Sequence, residues 1–249
     1  MADELTHQRL LAIASAIGGP LLGFDTSGSS ASICTVGWRD GTVEELELPA
    51  GALPSEFLAQ ALVDAIARAG FRVRDLRGIV IGSGPGSFTG LRVGLATAKG
   101  MALGADVSLF GTSSLAMLAA AHGPGLIAPV VDARRNEVFG AVYQVANGGD
   151  VESIVADGAF SPARFVARLE EARSGSVTVV GTGAATCLPS GPPPDTTVIP
   201  GAAIRAAYGI LHAEGRIRRG DGDPIDTLAP RYLKASEAER ELGQPPPTA

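Results

Sequence analysis

Cysteine is scarce in this chain of 249 residues: Cys34 and Cys187 are the only two, and no CxxC spacing occurs. That excludes a zinc ribbon and a thioredoxin-type redox site, and two buried free thiols are a simpler reading than one disulfide. Histidine is equally sparse. His7, His122 and His212 are scattered, and no HxxxH or HExxH pair sets two metal ligands on one helical face. Charged residues are only 18% of the chain, and their balance is acidic, at −6. A chain that grips nucleic acid unaided carries a basic stripe that displaces phosphate counterions, and none is visible here. The P-loop, the GxGxxG fingerprint and the GxSxG nucleophile elbow are also missing. No apolar run reaches the roughly 20 residues needed to cross a bilayer. Leu10–Ile17 follows Asp3 and Glu4 rather than a basic stretch, so residues 1–20 read as an N-terminal helix or extension, not a signal peptide, and the expected location is cytoplasmic.

Against these absences, 45% of residues are hydrophobic, and 33 glycines and 17 prolines punctuate the apolar runs without a fixed period. The length suits one large domain or two lobes of about 100–120 residues each. Pro20–Phe24 and Ala31–Trp38 flank the polar turn DTSGSS and read as a hairpin, with Thr42–Leu48 as a third strand. Phe57, Leu58, Ala61, Leu62, Ala65, Ile66 and Ala69 form the stripe of an amphipathic helix that Ser55 would cap and Gly70 stops. A strand over Leu76–Ile81, a helix over Leu91–Leu103 and a strand over Val107–Phe110 follow. A helix near Ser113–Ala121 opens the second half. There, Ile127–Asp132 and Glu137–Val145 repeat the hairpin, again with an aspartate ending the first strand. Ser161–Ala172 reads as a helix, Val177–Val180 as a strand, Pro189–Asp195 as a loop and Gly201–Glu214 as the last helix. Strands–helix–strand–helix, given twice, predicts an α/β protein of two similar lobes, 21–112 and 113–235, with a fraying Pro-rich tail at 236–249.

The loop Gly82–Gly90 joins a buried strand to a helix start. Its glycines permit close backbone approach, and the free amides and dipole of a helix N-terminus favour an anion. The other reading is a tight strand-to-helix turn with no ligand. Asp25 and Asp132, at strand ends, could orient a metal or phosphate, or simply cap their own turns through Asx bonds, which is the default. Gly181–Ala184 could admit an adenine or merely turn the chain. On this reading the candidate nucleotide or phosphate residues are Asp25, Gly84, Gly86, Ser87, Thr89, Gly90 and Asp132.

The string from Gly84 to Gly100, GPGSFTGLRVGLATAKG, resembles the signature of the TsaB (YeaZ) family. Leu22–Ser27, Asp132–Val138 and Pro230–Leu233 fall in the order that family shows, and the resemblance spans roughly Leu21 to Lys234. It implies the actin-like, Hsp70-like ATPase (ASKHA) fold with two mixed-sheet lobes. It also implies a part in making N6-threonylcarbamoyladenosine at position 37 of tRNAs reading ANN codons. In that family the chain is a non-catalytic partner of the paralogue TsaD, which carries metal and transferase chemistry, while the ATPase TsaE joins them. TsaD-like proteins carry an HxxxH pair on the helix after the opening strands, where this chain reads PSEFLAQ. On this resemblance there is no intrinsic cofactor or metal, a nucleotide belongs to the interface with TsaD, and tRNA is met only through the complex.

The helix Gly90–Leu103 is apolar or small nearly all round. One face must cover its sheet; the rest either meets the Ser55–Ala69 helix within one monomer or offers a surface to a partner. The resemblance favours the partner, with these two helices pairing with TsaD and self-associating in its absence. Leu58, Leu62, Leu91, Leu95 and Ala98 are the expected contact residues. A different class, an independent nucleotide-dependent phosphotransferase or peptidase-like hydrolase of the same fold, would require Mg²⁺ carboxylates and an intact adenosine pocket.

Overall fold

The computed structural model describes residues 4–49 and 54–234, with the side chains of all of these except 54–56. Two five-stranded sheets carry the same topology. In the first, β1 (Leu21–Asp25) lies at the centre, with β2 (Ser32–Val36) and β3 (Val43–Glu47) antiparallel on one side. On its other side β4 (Gly78–Gly82) and β5 (Leu109–Thr112) run parallel. In the second, β6 (Gly125–Asp132) is central, β7 (Val138–Val145) and β8 (Val151–Phe160) are antiparallel, and β9 (Val177–Gly181) and β10 (Thr196–Pro200) are parallel. The duplicated α/β architecture read from the sequence is the observed one.

Every residue of β1 is buried, because helices cover both faces of its sheet. Leu22 and Phe24 point to one side, where α2 (Pro54–Arg68) and α3 (Phe88–Ala105) lie. Leu21 points to the other, against α1 (Glu4–Ile17) and α7 (Ala206–His212). Gly23 admits α7 to the sheet: a Cβ there would sit 2.9 Å from Ile210 Cγ1 and 3.1 Å from the Ala206 carbonyl. The second sheet is covered by α4 (Ser114–Ala120) on one face, and by α5 (Pro162–Ala172) and α6 (Ala184–Cys187) on the other. All seven residues of α4 are buried, since it lies between that sheet and α7.

The lobes therefore exchange helices. α4 follows the first lobe's strands but packs on the second; α7 follows the second but packs on the first. This amends the division at 112/113, because 206–219, including α8 (Glu214–Arg219), belongs by packing to the first lobe. The chain then returns along β5: Asp223 N donates to the Leu109 carbonyl at 2.7 Å, Gly111 N donates to Asp223 Oδ2 at 2.7 Å, and Arg231 N donates to the Ser83 carbonyl at 2.8 Å. This strap satisfies the open edge of the sheet. Residues 4–20 are likewise built in. Leu10, Ile13 and Ala14 are fully buried, and Arg9 pairs with Asp150 and Glu214 at 3.0 and 2.7 Å.

Other expectations also shift. α3 starts at Phe88 rather than Leu91, and the last helix breaks at Ala213 into α7 and α8. α2 begins at Pro54, so Ser55 sits inside its first turn; its side chain lies outside the described residues, as does the tail 236–249. No described helix is long and apolar enough to cross a membrane.

Candidate functional site

The turn after β1 and the loop after β4 meet at the start of α3. Asp25 is 1% exposed. Its Oδ1 accepts from the Ser27 amide and hydroxyl, both at 2.7 Å, and its Oδ2 accepts from Ser114 Oγ at 2.5 Å. Ser114 Oγ in turn accepts from Gly84 N at 3.1 Å, and Ser114 N donates to the Gly84 carbonyl at 2.9 Å. Burial pushes the Asp25 carboxyl above its ordinary range, while the bonds from Ser114 and Ser27 act in the opposite direction. Asp25 is thus a staple between the first turn, the glycine loop and α4, with both oxygens occupied.

The glycines of the loop are filled by protein. A Cβ on Gly86 would lie 2.4 Å from the Ser27 carbonyl, and on Gly90 1.9 Å from the Thr26 carbonyl; on Gly94 it would meet Thr26 Oγ1 at 2.1 Å. Thr26 Oγ1 donates to the Gly90 carbonyl at 2.7 Å, and Ser87 N donates to the Ser27 carbonyl at 2.8 Å. Ser87 Oγ caps α3 by accepting from Gly90 N at 3.2 Å. The close approach that the glycines permit is therefore made by the Thr26–Ser27 turn, and the amides of Gly84, Ser87 and Gly90 already have acceptors. This corrects the assignment of Gly84, Gly86, Ser87 and Gly90 as a phosphate cradle: they hold the turn. Thr89 is exposed beside them.

Asp132 is not joined to this group. Its Oδ1 accepts from Arg134 N at 2.8 Å, the Asx turn that the sequence gives as the default, and its own amide donates to Thr182 Oγ1 at 3.2 Å. Gly181 and Gly183 pack on β6, where added Cβ atoms would lie 2.4 Å from the Val130 carbonyl and 2.8 Å from Val130 Cγ1. The space read as open to an adenine is occupied by that strand.

The sign of the Asp25 shift makes a prediction. With a folded pKa above its unfolded value, the native state holds the proton more tightly, so stability is full below the unfolded pKa. It is lost as pH rises from the ordinary carboxylate range through the folded pKa. Asp25→Asn, which has nearly the same shape and no charge, is expected to flatten this fall. Urea midpoints measured from pH 4 to 7 check it; an unchanged slope would assign the pH dependence elsewhere.

The partner-contact assignment also needs correction. Leu58, Leu62, Leu91, Leu95 and Ala98 are at most 5% exposed; Leu58, Leu62, Leu95 and Ala98 pack in the core beside the first sheet, and Leu91 lies against Gly84. The outward face of α2 and α3 instead carries Phe57, Val63 and Leu103, at 53%, 51% and 69% exposure, with the small exposed residues Ala96 and Gly100. The strap sets the near end of this face: Tyr232 lies against Phe88 with ring centroids 4.9 Å apart, and its hydroxyl accepts from Arg92 Nε at 2.9 Å.

A second polar cluster escaped the sequence reading. The Asp157 side chain is almost fully buried on β8 and accepts from Ser113 Oγ and Arg231 Nη1, each at 2.7 Å, and from the Tyr143 hydroxyl. Burial, with Asp157 adding to it, pushes the Tyr143 hydroxyl well above its ordinary pKa. No motif marks these residues; the nearest signal was the resemblance around Pro230–Leu233.

Comparison with known proteins fits this architecture. The family model described as TsaD, tRNA N6-adenosine threonylcarbamoyltransferase, matches residues 53–187. The tRNA threonylcarbamoyladenosine biosynthesis protein TsaB of Escherichia coli is 32% identical over 171 residues, 66% of this chain and 71% of that protein. TsaB of Bacillus subtilis is 45% identical over 86 residues, 34% of this chain and 37% of its own length. Among solved structures, a Pseudomonas aeruginosa protein described as similar to peptidase YeaZ superposes with a TM-score of 0.77 at 25% identity. That match covers 87% of this chain and all of the other. YeaZ from the same organism gives a TM-score of 0.75 at 23% identity, over 86% of this chain and all of that one, and supports the fold. With the duplicated sheets, the stapled glycine loop and these relatives together, the chain belongs to the TsaB family.

Proposed function

We propose that this chain acts in the formation of N6-threonylcarbamoyladenosine on tRNA, as the non-catalytic partner that docks and activates the TsaD transferase. The observation that carries the reading is the outward side of α2 and α3, where Phe57 and Val63 of the first helix and Ala96, Gly100 and Leu103 of the second stand exposed. The opposite faces of the same helices are anchored in the core. Small residues let a partner helix approach closely, and the large apolar ones gain when water is excluded. A stable heterodimer would bury about 1,200–2,000 Å² in total. Reaction chemistry, metal and tRNA contact are assigned to TsaD and the assembled complex with TsaE. A nucleotide is assigned to the interface with TsaD. In the absence of TsaD the same face serves self-association.

The supporting chemistry is the engagement of Asp25, whose oxygens are held by Ser27 and Ser114 rather than presented to a cation or phosphate. The test is reconstitution with TsaD, TsaE and a threonylcarbamoyl-AMP donor, scoring modified tRNA. Product should depend on this chain, and Phe57→Glu should lower both TsaD capture and product at least tenfold. Turnover of ATP by the isolated chain would favour an independent enzyme instead.

A further inference from the structure

We propose that the cleft between the two lobes, at the β5 side of the molecule, is a binding site for the phosphate or carboxylate group of a small metabolite. The cleft encloses about 460 Å³, within the range of small-molecule sites. Neither Asp25 nor Asp132 lines it, so it is separate from the turns that end β1 and β6.

Its wall includes Thr112, Tyr143, Asp157, His212, Arg216 and Arg231. Its donors suit an anion: two guanidiniums and an imidazole stand beside the Asp157 carboxylate, while Asp223, outside the lining, pairs with Arg216. The Asp157 carboxylate is already matched, since it accepts from Ser113, Tyr143 and Arg231. Arg231 uses Nη1 of its side chain for this bond, and among the described residues Nε and Nη2 are left for an incoming oxyanion. Arg216 is held in place by Asp223 at 2.7 Å and by the carbonyls of Gly111 and Asp221, a pre-set guanidinium rather than a flexible one. Planar guanidinium forks suit carboxylate and phosphate oxygens, and a concave site raises the strength of that pairing.

A second, independent observation points to a ligand. Thr112 is 6% exposed, and its Oγ1 is buried without a hydrogen-bond partner among the described residues. An orphan buried hydroxyl costs about 1–3 kcal/mol and is rare in folded proteins. A ligand oxygen seated in the cleft would supply the missing partner.

His212 adds pH dependence. Burial in the cleft wall lowers its pKa, Asp157 and Asp150 raise it, and Arg216 lowers it; Arg231 and Tyr143 share the same cleft. A bound oxyanion would raise the imidazole pKa, so binding takes up a proton and tightens as pH falls through the histidine range.

The test uses the full chain, inorganic phosphate and malate as probes, and sodium chloride at matched ionic strength as control. With only three histidines in the chain, labelled imidazole resonances report His212 directly. The His212 signals should shift saturably with phosphate or malate and not with chloride, and the tighter probe identifies the group recognised. Calorimetry should show binding about tenfold weaker in His212→Gln and about threefold weaker in Thr112→Val, with melting temperatures unchanged or higher. No saturable shift up to about 20 mM of either probe, an equal shift with chloride, or unchanged affinity in either variant would overturn the proposal. The result is independent of docking to TsaD, which is measured separately.

Discussion

Leu95→Asp is expected not to accumulate as folded protein, whereas Leu103→Asp, two turns further along the same helix, folds normally. Leu95 is 5% exposed and packs in the cluster that contains Leu22, Phe24, Leu58 and Ile81. A carboxylate there loses apolar burial and gains no partner. Together these cost about 4–5 kcal/mol, a large share of the about 5–15 kcal/mol that holds a protein of ordinary stability. Leu103 is 69% exposed, and surface changes of this kind stay within about 0.5 kcal/mol. Soluble yield and urea unfolding followed by circular dichroism separate the two. On the proposed function, Leu103→Asp then fails to capture TsaD although it is folded. A folded Leu95→Asp would mean that α3 does not lie on the first sheet as described.

The second large effect is at Gly90. A Cβ there would meet the Thr26 carbonyl at 1.9 Å, and that atom is backbone, so no side-chain rotation relieves the contact. Gly90→Val must push α3 away from the turn after β1. The shift would break the Thr26 Oγ1–Gly90 carbonyl bond and the Ser87 cap that ties the same turn. The expected cost is about 3 kcal/mol, or about 10 °C in melting temperature for a chain of this length. Gly100, where an added Cβ would have nothing within 4 Å, is the control: Gly100→Ala sits mid-helix on the outward face and should raise stability by about 1 kcal/mol. Thermal melts of the pair check both. If Gly90→Val melted like the parent, the glycine loop would have room for a ligand after all.

These two cases locate what was legible in advance. Helical periodicity picked out a stripe on α2, of which Leu58, Leu62, Ala65, Ile66 and Ala69 are buried while Phe57 stands exposed. Period alone does not say whether the stripe faces core or partner. On α3, which is small or apolar nearly all round, both answers fit the pattern. β8 and β10 went unseen, whereas the edge strands of the first sheet, β3 and β5, were read. β8 carries Glu152, Ser153 and Asp157 among its apolar residues, and β10 is a short run ending in Pro200. Neither shows the clean alternation that marks a half-buried strand.

The order of residues was enough to determine the duplicated α/β lobes, the paired hairpins and the family, because these rest on local patterns and on a long contiguous string. Only the tertiary structure decided what fills the glycine loop, where the oxygens of Asp25 are engaged, which face of α3 is free, and that Asp157 meets Arg231 across the cleft. Each of these is a contact between residues distant in the chain. Local sequence constrains a residue's own backbone and its near neighbours, but it does not specify which remote atom arrives in the space left beside it.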